Sequence, residues 1–429
     1  MYLTRFHIEN IRAIRELTWE VPLKSAPGWH VILGDNGSGK SSVLRSLALG
    51  FVGVIDARAL RQNWSQWLRV GERLGRIELE LSPDPKLDKF RVRKGGKRTR
   101  PQVNLVLKVE EDGFAELDSE SKMLASDPLR YLWGPRSGWF SASYGPFRRF
   151  TGGDKDYDKL FATHPQLARH LSDFDESVAL TEGLRWLQQL QFKKLEGESE
   201  GALLKPLTAF INQPGFLPHH VRLEKITSSE VLFVDGSGAR VAVEELSDGY
   251  RSILSMTFEL IRQLAASYGP EHVFHPNDPT KVDVPGVVLI DEVDAHLHPT
   301  WQRRVGLWFR EHFPKMQFIV TTHSPLVCQA AEVGTVWRLP RPGTDEEARQ
   351  VTGVELDRLI FGNVLDAYGT GLFGEDVSRS EKSKQRLQRL AQLNLKEMRQ
   401  GLSAAERREQ TALRASLPTA SMAVHDSDQ

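Results

Sequence analysis

Trp29-His-Val-Ile-Leu-Gly-Asp-Asn-Gly-Ser-Gly-Lys-Ser-Ser42 is the stretch from which the fold is read. Val31, Ile32 and Leu33 are a short apolar run of strand type. Gly34, Asp35, Asn36, Gly37, Ser38, Gly39, Lys40 and Ser41 fit the pattern G-x-x-x-x-G-K-[ST]. Val43, Leu44, Leu47 and Leu49 then recur at roughly helical spacing. Strand, glycine loop and helix together make a phosphate site. The glycines let backbone N–H groups close on phosphate oxygens, and the helix N-terminus adds partial positive charge. The pattern assigns Lys40 to the β- and γ-phosphates and the Ser41 hydroxyl to Mg²⁺, with Ser42 completing the nucleotide-binding loop. ATP and Mg²⁺ are the ligands such a loop implies.

Working outward, Gly286-Val-Val-Leu-Ile-Asp-Glu-Val-Asp-Ala-His-Leu-His-Pro299 carries the second strong motif. Four apolar residues read as a buried parallel strand. Asp291 at its end is placed to hold Mg²⁺ through water, and Glu292 to orient and polarise an attacking water. Gln317-Phe-Ile-Val-Thr-Thr-His-Ser-Pro325 is another buried strand, ending in His323. Between the two lies room for one helix, from Trp301 to His312, as a right-handed βαβ unit requires. His296 and His298 have a spacing that fits loop structure better than a zinc site. Cys328 reads as a small core residue.

Composition sets the outer limits. Across 429 residues Lys+Arg and Asp+Glu are both 56, so no global basic field exists and any nucleic-acid contact must be local. One cysteine excludes an intramolecular disulfide and a cysteine-rich zinc site, and fits a reducing, cytoplasmic setting. No signal peptide and no apolar run of about 18 residues is seen, so no membrane span is expected.

The opening segment FHIENIRAIRELTWEV, followed shortly by ILGDNGSGKSSVL, resembles the head domain of ABC-type ATPases of the SMC and RecF kind. Leu246-Ser247-Asp248-Gly249-Tyr250 stands where that family writes its L-S-G-G-Q signature. The resemblance implies an α/β P-loop NTPase fold: an ABC-ATPase head with an antiparallel β-subdomain, a helical lid insertion and a short helical C-terminal extension. It further implies that Arg12 approaches the nucleotide phosphates and that His323 lies by the γ-phosphate and attacking water. Ser247 and Gly249 would bind the γ-phosphate held by a second copy, in a head-to-tail dimer. Asp294 would lie in the loop that crosses to that copy. The family's glutamine that senses Mg²⁺ is missing: the chain has Tyr144-Gly-Pro at that place.

The expected layout is residues 1–154 and 221–345 as the two halves of the head, 155–220 as the lid, 346–415 as a helical extension and 416–429 as a disordered tail. No sustained heptad run occurs between Lys40 and Leu246, so a short lid is expected in place of a long coiled coil. Ala57 to Gly71 reads as a helix carrying Trp64 and Trp67 on one side. Arg91, Arg93, Lys94, Lys97, Arg98 and Arg100 form a basic hairpin tip. A solvated loop explains it slightly better than a nucleic-acid contact, since no aromatic is interleaved. Basic helices over 379–414 have the same two readings.

The segments LSDGYRS, IDEVDAHLHP, TTHSPL and YGTGLFG…SRSE look most like the PtuA-type ATPase subunits of Septu and retron anti-phage systems. That likeness implies an ATPase that senses infection or nucleic acid and holds a separate HNH-type nuclease. In retron systems a reverse transcriptase and its nucleic acid join the partners. No nuclease domain of its own is read in the sequence. Two alternatives stand: a RecF-like DNA repair ATPase that clamps DNA when ATP binds, and a non-hydrolysing scaffold that dimerises around ATP.

Overall fold

A computed structural model gives the architecture. It describes the whole chain except residues 61, 89–100, 121–131, 134–138, 149–162, 177, 179–181, 218–219, 228–229, 369, 374–379 and 417–429. The basic tip at 91–100 and most of the tail at 416–429 therefore lie outside the described residues.

β1 (Tyr2–Ile11) and β2 (Ile14–Glu20) form an antiparallel hairpin. Their alternation buries Phe6, Ile8, Leu17 and Trp19 on one face, and the Phe6 and Trp19 rings stack 5.3 Å apart. β3 (Gly28–Leu33) is buried at every residue, as a central parallel strand should be. Helix α1 (Lys40–Val52) follows. β4 (Leu74–Ser82), β5 (Gln102–Val109) and β6 (Ala115–Ser119) extend the first hairpin into an antiparallel sheet of order β2-β1-β4-β5-β6.

β7 (Ser141–Tyr144) precedes an antiparallel meander of β8 (Arg222–Ile226), β9 (Val231–Val234) and β10 (Arg240–Ala242). Asp235 closes its second turn by accepting from the N–H groups of Ser237 and Ala239. β11 (Phe274–His275) and β12 (Asp278–Val282) make a small ribbon. β13 (Gly286–Ile290), β14 (Met316–Thr322), β15 (Gly334–Arg338) and β16 (Arg349–Gln350) complete the second large sheet, of order β16-β15-β3-β14-β13-β7. All its pairings are parallel except β15 with β16.

α1 is packed between the two large sheets, and one apolar cluster joins its Val43, Leu44 and Leu47 to Leu79 and Leu105 on one side and Leu289 and Ile319 on the other. The fit is close: a Cβ on Gly50 would stand 2.3 Å from Leu79 Cδ1. Gln317 ties the sheets polar group to polar group. Its buried amide accepts from Leu3 N and donates to Leu3 O, both at 2.8 Å. On the other face of the parallel sheet the helix Pro299–His312 packs Trp308 and Phe309 against Trp29 and Phe210.

The expected helix over 57–71 does not form. A four-residue helix, Val54–Ala57, gives way to the 3₁₀ turns Arg58–Leu60 and Trp64–Gln66. Tertiary contacts override the pattern: Arg12 N donates to Trp67 O and Arg69 N to Asn10 O, pulling the segment onto the end of β1.

Contacts divide the chain into Met1–Val364 and Leu365–Gln429. In the second unit the helices Glu381–Gln400 and Ala404–Ser416 pair by Arg389–Glu409, Lys396–Glu406 and Arg414–Glu397. Part of the basic charge read there is thus met inside the hairpin. No described helix is long and apolar enough to cross a membrane.

Candidate nucleotide site

Register brings the site together. Ile290 pairs with Val320 and with Tyr144, Thr322 with Leu33, and Leu33 with Arg338. The carboxyl ends of five parallel strands therefore share one edge, where ligands bind in open α/β sheets. Gly34, Asp291, His323 and Gly145 each follow the last residue of a strand on that edge.

The loop Gly34–Gly39 leaves β3 and turns into α1. Gly39 caps the helix at φ 98°, in the left-handed region, and Gly37 lies there too at φ 81°. Gly34 is required for a different reason: a Cβ would sit 2.2 Å from Ser38 Oγ. Lys40 is buried, and its ammonium donates to the carbonyl oxygens of Gly34 (2.9 Å) and Asp35 (3.2 Å). Burial pushes its pKa below the usual lysine value, while Asp291, Glu292 and Asp35 pull it back. Arg338, from the end of β15, holds Asp35 at 2.9 Å. The buried Ser38 hydroxyl has no partner among the described residues.

Asp291 is 2 % exposed, and the Thr321 hydroxyl donates to its Oδ1. The same hydroxyl accepts from Glu292 N at 2.8 Å, so one threonine orients both acidic residues. Glu292 sits at φ 44°, an unusual conformation for a non-glycine, and its side chain is half-buried. Thr322 likewise donates to Asp294. His323 is exposed just beyond β14.

Arg148 was not singled out by sequence reasoning, yet it binds the back of this edge. Its buried guanidinium donates to Asp291 O (3.0 Å), Glu292 O (3.2 Å), Gly145 O (3.2 Å) and Ser252 Oγ (2.9 Å). Burial lowers its pKa to about 10, against the pull of Asp291, Asp294 and Glu292. Asp173 was missed as well. Burial first, and Asp291 second, push its carboxyl up to about 8, while Arg45 and the Ser143 hydroxyl oppose this.

The remaining expected residues are placed as follows. Arg12 is half-buried at the β1–β2 turn, 4.5 Å over the Trp67 ring, and burial followed by Arg45 lowers its pKa. Ser247 is exposed as the N-cap of the helix Asp248–Tyr268, and its hydroxyl does not cap that helix. Gly249 packs on the loop after Glu292, where a Cβ would stand 3.0 Å from His296 O. His298 caps the Pro299–His312 helix by accepting from Thr300 N. Cys328 is fully buried, and burial raises its thiol pKa. A cavity of about 820 Å³ opens beside Gly37 and Ser38, walled by Ala13–Thr18 and by residues 339–350.

The donor set suits Mg²⁺, which takes hard oxygen ligands: Asp291, the Ser41 hydroxyl and a nucleotide phosphate. Asp291 is fixed by Thr321, and Ser41 is in the first turn of α1.

A family model described as "AAA domain, putative AbiEii toxin, Type IV TA system" matches residues 30–329. The Septu protein PtuA of Bacillus mycoides (strain KBAB4) is 24% identical over 328 residues, covering 76% of this chain and 38% of that protein. The retron Ec83 probable ATPase of Escherichia coli is 36% identical over 124 residues, which is 29% of this chain and 22% of that protein. The chain spans less than half the length of these two curated relatives. Among solved structures, the SMC head bound to the C-winged helix domain of ScpA matches with a TM-score of 0.50 at 16% identity, covering 83% of this chain and 99% of that one. That likeness concerns the fold, and it agrees with a parallel sheet whose glycine loop and carboxylates share an edge. Since the family match runs from within β3 past His323, over far more than half of its length, the chain belongs to this AAA-domain family of ABC-type P-loop ATPases.

Proposed function

We propose that the chain binds ATP with Mg²⁺ at the shared strand edge and hydrolyses it, as the ATPase subunit of a prokaryotic anti-phage defence complex with a separate nuclease effector. The observation that carries the reading is that the loop and helix start after β3, which carry Lys40, and the end of β13, which carries Asp291 and Glu292, share one edge, with Thr321 of the intervening β14 orienting both acidic residues. Lys40 exchanges its loop carbonyls for the β- and γ-phosphates, and the backbone N–H groups of Gly37, Ser38 and Gly39 line the rest of the loop. Asp35 and Asn36 shape the loop, with Asp35 anchored by Arg338. Ser41 and Asp291 hold Mg²⁺, and Ser42 continues the phosphate-binding turn. Mg²⁺, when bound, neutralises charge on the phosphate oxygens. Glu292 is the general base that orients the attacking water, and His323 faces the γ-phosphate. Arg12 approaches the phosphates from the turn of the first hairpin, and the cavity beside Gly37 takes the base and ribose.

Ser247 and Gly249 serve a second copy, so the working unit is a head-to-tail dimer with ATP in the interface. The defence assignment is supported by the Septu and retron relatives. It makes the effector an HNH-type nuclease and adds a reverse transcriptase or its nucleic acid in a retron setting.

Equilibrium binding of a fluorescent ATP analogue tests the core of the reading. Lys40→Ala should weaken binding by about 100-fold, since nothing nearby replaces its charge. Wild-type affinity in that variant refutes the phosphate loop. Co-purification of a nuclease with the native chain tests the effector. A chain that loads only onto DNA, with no nuclease, favours the RecF-like alternative.

A further inference from the structure

The strand that ends beside Asp291 delivers no side chain to the site. Tyr144 closes β7, and its carbonyl accepts from Asp291 N at 2.8 Å. The next residue is Gly145, and a Cβ there would stand 2.1 Å from Ser172 O. The space a side chain at 145 would use is filled by backbone of the short helix Leu171–Phe174. The residue after that carbonyl is Asp173.

Asp173 is 1 % exposed; the Ser143 hydroxyl lies near its carboxylate but is bonded to His170, and no hydrogen bond of normal geometry from a described residue reaches either oxygen. Its backbone carbonyl accepts from Arg45 Nε at 2.7 Å, which fixes it against α1 one turn beyond Ser41. Arg45 does not satisfy the carboxylate. Its Nε proton already goes to the carbonyl, and Nε stands 3.9 Å from Oδ1. A buried carboxylate without a donor is costly, and such groups are as a rule paired or bound to metal. Asp173 thus lies between the helix that carries Ser41 and the end of β7, the strand next to the one that Asp291 follows.

From the occluded Gly145 and the buried Asp173 carboxylate, which Arg45 meets only at 3.9 Å and no hydrogen bond of normal geometry satisfies, we infer that Asp173 is a third protein group for the nucleotide's Mg²⁺, directly or through a metal-bound water. It acts with Ser41 and Asp291, and it takes the place of the side chain that β7 cannot supply. This rests on the Mg²⁺–ATP reading above. The assignment has a simple logic of charge. With nucleotide and metal present, the carboxylate gains a cation; without them the charge of Asp291 is offset only by Arg45 and the Ser143 hydroxyl.

Mn²⁺ binding to the full chain, followed by electron paramagnetic resonance with a non-hydrolysable ATP analogue, tests this. Asp173→Asn keeps the shape and removes the charge. It should weaken Mn²⁺ by about 10-fold or more while leaving metal-free binding of the analogue intact. Asp291→Asn is the reference for a lost metal group. Equal Mn²⁺ affinity in Asp173→Asn, with analogue binding intact, overturns the inference and leaves the ATP site standing. If the wild-type chain binds neither analogue nor Mn²⁺, both readings fall. Should Asp173→Asn not fold, a crystal structure of the wild-type chain with Mg²⁺ and the analogue decides. An Asp173 oxygen at about 2.1 Å from the metal, or bonded to a metal-bound water, supports the inference. A carboxyl touching protein alone refutes it.

Discussion

Arg148→Ala removes four hydrogen bonds from a guanidinium that is 4 % exposed: two to the backbone of Asp291 and Glu292, one to Gly145 and one to Ser252. Each orphaned buried acceptor costs about 1–3 kcal/mol, so the gross loss is on the order of 4–12 kcal/mol. Burying the guanidinium itself costs several kcal/mol, and the alanine variant is relieved of that. The net expectation is a loss of about 3 kcal/mol, read as a lower urea midpoint at unchanged slope. Function should suffer more selectively. Glu292 holds its left-handed backbone at φ 44° with its carbonyl tied to Arg148, so releasing it displaces the base. Turnover should fall by about 10-fold or more. ATP affinity should change by no more than about 3-fold, because the loop Gly34–Ser41 makes no bond to Arg148. Arg148→Lys should restore only part of either quantity, having lost the planar fork. A variant within about 1 kcal/mol of wild type, with normal turnover, refutes the claim that Arg148 organises this edge.

Glu292→Gln should keep ATP bound and slow hydrolysis by about 100-fold or more; undiminished turnover in a phosphate-release assay would move the base to His323. Mixing Ser247→Arg with Lys40→Ala chains should restore part of the hydrolysis, because one composite site of the mixed dimer carries neither defect; a mixture as inactive as each variant, with mixed dimers confirmed by mass, denies independent sites spanning two copies. Burial pushes His170 down to about 3, so the folded chain binds fewer protons there than the unfolded chain between about pH 6.5 and 3. Stability from His170 is therefore lost as pH falls below about 6.5, at about 1.4 kcal/mol per pH unit, and His170→Asn should flatten the urea-midpoint profile by that slope; a steeper profile in the variant would reverse the sign.

The parts of the site that the sequence revealed are those built from neighbours along the chain. Gly34–Ser41 is a strand end, a turn and a helix start, each set by local residue types. Asp291–Glu292 and His323 are legible for the same reason, since a continuous apolar run announces the strand and the polar residue after it announces the edge. The segment 57–71 misled because its periodic apolar residues pack onto β1 through backbone bonds that no helical pattern encodes. Arg148 was hidden by distance: its partners Ser252, Asp291 and Glu292 lie more than a hundred residues downstream. Arg338, tied to Asp35 across most of the chain, was hidden likewise.

The missing side chain at the end of β7 shows where pattern reading stops and packing begins. Tyr144-Gly-Pro is visible in the sequence as a departure, but nothing local says what fills the gap. Gly145 admits the Ser172 carbonyl, and that close approach seats the next residue, Asp173, between the end of β7 and α1. The glycine and the aspartate explain each other. A side chain at 145 would expel the Leu171–Phe174 helix, and a chain without that helix would leave the metal one protein group short. Loss of the strand-end side chain and burial of a carboxylate that Arg45 meets only at 3.9 Å are then one arrangement. Gly145→Gln should accordingly not rescue Asp173→Asn in Mn²⁺ binding, because the added side chain must displace the backbone that positions its neighbours.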